Sequence, residues 1–544
     1  MKTSILTSLA FFTSIFALSQ NYTVELVKDI NPGSGNSSQF LAYKTVYNDK
    51  LYFSADDGTH GLELWVSDGT TEGTQLLKDI FPGSQNGVPR EFGEFNGKLF
   101  FVVDDGVHSA EPWYTDGTAE GTYMLKDIHV GGPDSASRPQ WFAEINGKLC
   151  FKAFDGIHGD ELWVSDGTEE NTYMLADIYP GEEASTPFRF TKAFGKLFFS
   201  AKNDIYGREA YFTDGTAEGT QILKDINPGS ARSDAEEFTL FDGMLFFSAD
   251  DGVSGRELWV TDGTEEGTVL FKDINPGSGD GSPIDFVEFN NRLYFSGNDG
   301  IHGDELWVTD GTSENTFMLM DINPGEGNSS PLEFTEANGK LFFRANDGVN
   351  YFQLWATDGT TEGTYMVKAI NDYIDHPRRI IEYSNKVYFR AHDEENGIQY
   401  WISDGTSEGT EMITLNGLTQ YDALTGDNQY AQVYGNSLYF FARFTEEEGL
   451  ELYKLTDSDM SVSEISEDHI QIFPNPSDGI IKIKNSDSVI RKVEVYNPAG
   501  IKSAQAEFNS KEIEINLNGK PNGIYFLKIV TDKGVNYKKI ILKK

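Results

Sequence analysis

An aspartate recurs in the same turn of successive repeats, at Asp57, Asp105, Asp155, Asp204, Asp251, Asp299, Asp347 and Asp393. Carboxylates massed beside glycine turns suit calcium, a hard cation that gathers oxygen ligands. The plainer reading is an acidic shell, since Asp-Gly is a favoured hairpin turn. The spacing also lacks the Asp-x-Asp-x-Asp-Gly order and distal Glu of a helix-loop-helix calcium site. Four of these turns carry a histidine, His60, His108, His158 and His302. Tyr206 and Ser254 hold that place elsewhere, and zinc needs three or four converging ligands, so loop packing is the simpler role.

Trp141 stands apart. Aligned on the Gly-Lys-Leu-Phe segment, it occupies the place that Glu91, Arg189, Glu237, Asp285 and Glu333 fill in other repeats. One aromatic at an otherwise charged position suits contact with a glycan or a partner; filling a local packing gap is the competing account. Catalytic signatures are sparse. There is no GxSxG elbow, no HExxH and no cysteine with a histidine partner. SADDGTHG at 54 to 61 and SADDGVSG at 248 to 255 partly resemble the sialidase Asp-box, a structural turn, without its closing aromatic. A glycosidase needs only two placed acids, so a carbohydrate-active hydrolase built on repeat carboxylates stays open.

These residues are positioned by a repeat. ELWVSDGT at 63 to 70 returns as EPWYTDGT, EAYFTDGT, ELWVTDGT, QLWATDGT, QYWISDGT and a decayed ELYKLTDS. Its aromatic falls at Trp65, Trp113, Trp163, Tyr211, Trp259, Trp307, Trp355, Trp401 and Tyr453, with spacings of 46 to 52 residues. Each unit holds four strand-like runs divided by Asn-Gly, Asp-Gly and Asn-Pro-Gly turns, and no helical period appears. Four antiparallel strands per unit at this period predict an all-β fold, a β-propeller of four-stranded blades. Nine units are counted. VELVKDI at 24 to 30 reads as a lone fourth strand, and the last unit lacks one, so the chain ends are expected to close the ring. An open solenoid or two smaller rings are the alternatives. The recurrent Trp then reads as core filler, and Cys150, in KLCF where siblings have KLFF, as a small buried hydrophobe.

The motif resembles the bacterial ELWxxDGT repeat family over roughly residues 24 to 459. That resemblance implies an exported, propeller-like protein and carries no activity with it. Residues 1–19 have the layout of a secretory signal peptide: Lys2, an apolar run from Ile5 to Leu18, then small residues before Gln20. No other stretch is long and apolar enough to cross a bilayer. The chain carries a formal charge of -43, while residues 469 to 544 hold 13 Lys or Arg against 7 Asp or Glu, so the acidity belongs to the repeats. Such a surface repels nucleic acid and anionic membranes, leaving cations, basic proteins and neutral glycans as partners.

The expected divisions are a signal peptide at 1–19, the repeat propeller at 20–459, a linker at 460–469 and a small β-sandwich at 470–544. The last resembles the type A C-terminal sorting domain of the type IX secretion system of Bacteroidota. The matching residues are Phe473, Pro474, Asn475 and Pro476, the Tyr496 to Gly500 turn, Gly523, Ile524 and Tyr525, and the terminal KKIILKK. The resemblance implies the type IX machinery as partner, and release or attachment at the cell surface. The sequence favours a non-enzymatic binding module for glycan, matrix or protein; a secreted hydrolase and a structural surface-layer component are the other readings.

Overall fold

The computed structural model describes residues 22–543 apart from 39–40, 371–376, 394, 421–427, 430, 446, 458–469, 475–476, 478, 486–487, 498–501 and 532–533. The expected leader at 1–19 and the whole of the expected linker at 460–469 lie outside the described residues. Two compact units are present, with their boundary after Met460. Among the described residues there is strand and turn but no helix.

The first unit contains nine four-stranded antiparallel sheets. Sheet one runs Lys44–Tyr47, Lys50–Asp56, Leu62–Ser67 and Gln75–Lys78, and the next seven repeat that order. Sheet nine takes Gln432–Tyr434, Ser437–Ala442 and Glu451–Asp457 from the end of the unit and Tyr22–Lys28 from its beginning. Val24 lies opposite Leu455, and Leu26 opposite Tyr453.

The second strand explains the stacking. In Lys98–Asp104 every residue from Leu99 to Val103 is buried. Leu99, Phe101 and Val103 join Tyr52, Leu64 and Val66 of sheet one, whereas Phe100 joins Leu149, Phe151 and Trp163 of sheet three. Alternate side chains thus face opposite neighbours, so a strand covered on both sides needs a continuous apolar run. The pattern repeats through the unit, and one cluster gathers Tyr388 and Tyr400 of sheet eight, Tyr439 and Phe440 of sheet nine, and Leu51 and Phe53 of sheet one. The recurrent Trp is core, between 5% and 8% exposed at all seven positions, and Cys150 is fully buried.

The rest of the motif serves turns and loops. Asp68 accepts hydrogen bonds from the Thr70 amide and hydroxyl, at 2.9 and 2.7 Å. Gly69 has φ +88, and a Cβ there would lie 2.4 Å from the Tyr439 hydroxyl of sheet nine. The motif glutamate, which reads as an ordinary strand residue in the sequence, is a clamp. Glu63, Glu111, Glu161, Glu209, Glu257, Glu305 and Glu451 have no exposed surface. Glu161 accepts from the amides of Ile178 (2.9 Å) and Ser185 (2.8 Å) and from the Ser185 hydroxyl (2.6 Å), fixing the segment that leads to sheet four. Sheets seven and eight use an amide instead: Gln353 accepts from Ile370 at 2.8 Å and Gln399 from Gln420 at 2.9 Å.

The second unit has a three-stranded sheet of Ile470–Phe473, Ile480–Asn485 and Glu512–Asn516. A four-stranded sheet is ordered Lys502–Ser510, Ile490–Tyr496, Gly523–Thr531, Gly534–Leu542. Alternate residues such as Ile481, Ile483, Val493, Leu527 and Ile529 form one core between them.

Burial pushes the clamp carboxyls up, Glu63 to about 8 and Glu161 to about 7, although the donors pull the other way. Folded protein therefore holds protons that the unfolded chain releases above the ordinary value of 4.5, and this stabilisation declines as pH rises to about 7 or 8. The turn carboxyls act oppositely: the Thr70 bonds hold Asp68 below its ordinary 3.8, a contribution lost as pH falls through the depressed value. Thermal unfolding should show its highest Tm at about pH 4 to 5, with a decline toward pH 8. Glu161→Gln removes one of the seven clamp carboxyls and should shrink that decline by its share, whereas Glu161→Ala, which strands all the buried donors, should cost about 1 to 3 kcal/mol by urea titration.

Candidate functional site

The aspartate turns join the second and third strands of their sheets. Asp57 accepts from the amides of Thr59 and His60, each at 2.9 Å, and its other oxygen lies 2.8 Å from His60 Nδ1. Burial alone would raise this carboxyl, but the His60 side chain and the two amides outweigh it and hold it low. Asp57 in turn holds the His60 imidazole above its ordinary value. Asp105 with His108, Asp155 with His158 and Asp299 with His302 repeat the pair at 2.7 to 2.8 Å. Asp251 holds Ser254 Oγ at 3.3 Å, Asp347 holds Asn350 Nδ2 at 2.7 Å, and Asp393 bonds Asn396.

Asp204 departs from the set. Asn203 accepts from the Ile205 and Tyr206 amides at 3.0 and 2.9 Å, so Asn203 is the counterpart of Asp57, and Asp204 stands where six of the other seven turns have glycine. Each remaining aspartate is committed to its own turn. Among the described residues no group of three or more His, Cys, Asp or Glu side chains is placed to hold a metal ion.

The Trp141 position has a distinct backbone role. It lies in Gln140–Ile145, the first strand of sheet three, where the register slips between Gln140 and Ala143. The same slip occurs in the first strands of sheets two and four to eight. In all seven the bulged residue is left-handed and none is glycine: Glu91 (φ 55), Trp141 (62), Arg189 (58), Glu237 (63), Asp285 (59), Glu333 (60) and Arg379 (60). A bulge turns one amide out of the ladder, and that amide needs an acceptor.

The preceding sheet supplies it in several cases. Glu91 accepts from the Trp141 amide. Glu237 accepts from Asp285 at 3.3 Å, Asp285 from Glu333 at 2.5 Å, and Glu333 from Arg379. The first strands of consecutive sheets touch from sheet one to sheet eight, and that of sheet nine touches that of sheet one. The charged position is therefore a chain of acid-to-amide links between sheets rather than a row of solvated charges.

Two members do other work. Arg189 carries no acceptor and instead turns its guanidinium onto Glu237, with Glu236 at 3.6 Å. Trp141 carries neither acid nor base and is 42% exposed. Beside Arg189 is a cavity of about 590 Å³ spread over four consecutive first strands, lined by Glu236, Glu237, Phe238, Asp285 and Leu332 among others. Burial, reinforced by the charges of Glu237 and Glu333, raises the Asp285 carboxyl above its ordinary value despite the Glu333 amide. The acid-to-amide links escaped the sequence because a left-handed bulge usually announces itself by glycine; the alignment of charged residues was the available signal.

In the second unit, Phe473 is 42% exposed at the end of its strand and Pro474 follows it; Asn475 and Pro476 lie outside the described residues. Gly523 and Ile524 open the strand Gly523–Thr531, and Tyr525 is buried with its hydroxyl donating to Pro521 O at 3.0 Å. Of the expected Tyr496 to Gly500 turn, Pro498 to Gly500 lie outside the described residues.

Residues 471–543 match the family model of the secretion system C-terminal sorting domain. Sorting through the type IX secretion system follows from that module, and with it export to the cell surface or the medium. No curated protein matches the chain. Similar solved structures include a computationally designed protein, Ika8, with 13% identity over 79% of this chain and 99% of that one, TM-score 0.36. PorZ, a surface component of the type IX secretion system of Porphyromonas gingivalis, has 14% identity over 92% of this chain and 75% of its own, TM-score 0.34. A puromycin hydrolase has 14% identity over 66% of this chain and 60% of its own, TM-score 0.36.

Left-handed backbone costs a non-glycine residue about 1 kcal/mol or more. Trp141→Gly should therefore raise the unfolding free energy by about 1 kcal/mol if the indole makes only exposed contacts, whereas Asp285→Ala, which removes the acceptor for Glu333, should lower it by about 1 to 3 kcal/mol. Urea titration of the two variants against the parent checks both signs.

Proposed function

We propose that the nine sheets form one closed nine-bladed β-propeller, and that the chain is an exported, non-enzymatic binding module whose contact surface is the inner end around Trp141 and Arg189. Closure is supported by the pairing of Tyr22–Lys28 with sheet nine and by the apolar cluster shared by sheets eight, nine and one. The binding reading rests on one observation: at a backbone position that recurs in seven sheets, most residues link neighbouring sheets, while Trp141 gives up that link and exposes its ring. An exposed indole beside carboxylates suits the apolar face of a sugar or an aromatic-seeking protein loop. The ELWxxDGT resemblance agrees with an exported repeat protein, and calcium in the acidic turns belongs to the same proposal as an accessory ion.

A hydrolase is the second reading, favoured by the raised carboxyl of Asp285 next to Glu237. Its weakness is that both acids already accept a backbone amide of the following sheet.

The test is a glycan array probed with the full chain and with Trp141→Ala, with and without calcium. Specific binding reduced at least about tenfold by Trp141→Ala, the loss of one stacking contact, is the expected result. Binding that ignores Trp141 would reject this surface, and turnover abolished by Asp285→Asn would establish the hydrolase instead.

A further inference from the structure

The repeat unit is acidic, yet one cleft away from the inner strands is lined by cations. It has a volume of about 420 Å³ and is bordered by Tyr179, Lys202, Asp204, Arg208, Ser230 and Arg232. Lys202 ends the second strand of sheet four and Arg208 begins its third strand, while Arg232 follows the fourth. Asp234 is the acid beside them, 2.7 Å from Arg232 and 3.9 Å from Arg208, and Arg256 approaches it at 3.8 Å. Three guanidinium groups converge on that carboxylate, Arg256 lies also 3.6 Å from Glu236, and Lys202 lies 5.8 Å from the Tyr179 ring centroid.

Two of these cations replace groups that do structural work elsewhere. At the place of Lys202 other sheets have Asp56, Asp104 and Asp250, each accepting the amide two residues on at 2.7 Å. At the place of Arg232 they have Asn86, Asp280 and Asn328, which accept the amides of Leu62, Arg256 and Asp304 at 2.9 to 3.0 Å. Sheet four has exchanged both acceptors for positive charge around one cleft. Sheet three, with Phe154 and Ala184 at the same two places, folds with neither acceptor and no cation, and sheet nine has a cation, Arg443, only at the first, so the scaffold does not ask for positive charge at both.

We infer that this cleft binds an anionic saccharide. The paired forks of Arg208 and Arg232 match the planar oxygens of a carboxylate or the oxygens of a phosphate, and Lys202 adds a point charge. Tyr179 offers a ring face against which a sugar ring can lie. The site is separate from the Trp141 surface and does not depend on it.

Calorimetric titration of the full chain with glucuronic acid, a hexose phosphate, the neutral hexose and inorganic phosphate tests the assignment. At least one anionic sugar should bind more tightly than inorganic phosphate, the neutral hexose should give no signal, and the two anionic arms separate carboxylate from phosphate recognition. Arg232→Asn and Lys202→Asp install residues that other sheets carry at those places, so both should fold with a Tm no lower than the parent's and lose affinity about tenfold each, as expected for one charge-assisted contact. Lys192→Ala, which removes a cation paired with Glu144 at 2.6 Å, should change nothing. No binding by either anionic sugar, binding by both cleft variants as tight as the parent's, or binding of inorganic phosphate as tight as that of the sugars would overturn the inference.

Discussion

A four-stranded sheet that is apolar on both faces cannot stand alone in water. The alternating side chains of Leu99 to Val103 require a neighbour on each side, and every neighbour built from the same repeat has the same requirement. Stacking therefore continues from sheet to sheet, and one apolar cluster joins sheets eight, nine and one. Burial of about 25 cal/mol per Å² of apolar surface drives this, and it says little about direction or register. Orientation comes from polar groups placed at the seams: the buried glutamate that fixes each connecting segment, and the bulge amides that reach an acid of the preceding sheet.

Those seam groups explain an otherwise awkward economy of charge. A buried carboxylate is costly unless several donors surround it, and the motif glutamate meets two or more amides, often with a serine hydroxyl. The glutamine of sheets seven and eight accepts one amide of the connecting segment without charge and donates its Nε2 to a carbonyl, so a charge is not required at that place. Much of the repeat unit's acidity is thus a by-product of using carboxylates as universal acceptors for loop and bulge amides.

The period, the four strands per unit, the core role of Trp and the pairing of the first strand with the last sheet were all legible, because each depends on hydrophobic alternation and turn residues visible in one dimension. Asp204 was misplaced for a related reason: Asn203 accepts the turn amides in its stead, and an Asp-Asn exchange preserves the geometry while defeating a search for carboxylates. The clamp role of Glu63 and its counterparts was hidden because the amides they hold belong to residues 17 and more positions away. Trp141 stands out in the sequence as one aromatic at an otherwise charged position, but its left-handed backbone and the acid-to-amide links around it required the structure.

In a repeat protein the useful asymmetries are those that abandon a hydrogen bond the other copies make. A change that preserves the bond, such as Glu to Gln in the clamp or Asp to Asn in the turn, leaves the scaffold's accounts unaltered and implies nothing about function. Trp141 and the pair Lys202 and Arg232 are of the other kind: each stands where sibling residues accept a backbone amide, and each offers a side chain that cannot accept one in that way. Giving up an acceptor costs stability at that sheet, and a series of near-identical stacked sheets tolerates local sacrifices that a single sheet would not. The inner bulge and the cationic cleft are therefore places where this sequence departs from what its own architecture asks for and offers a binding group in exchange.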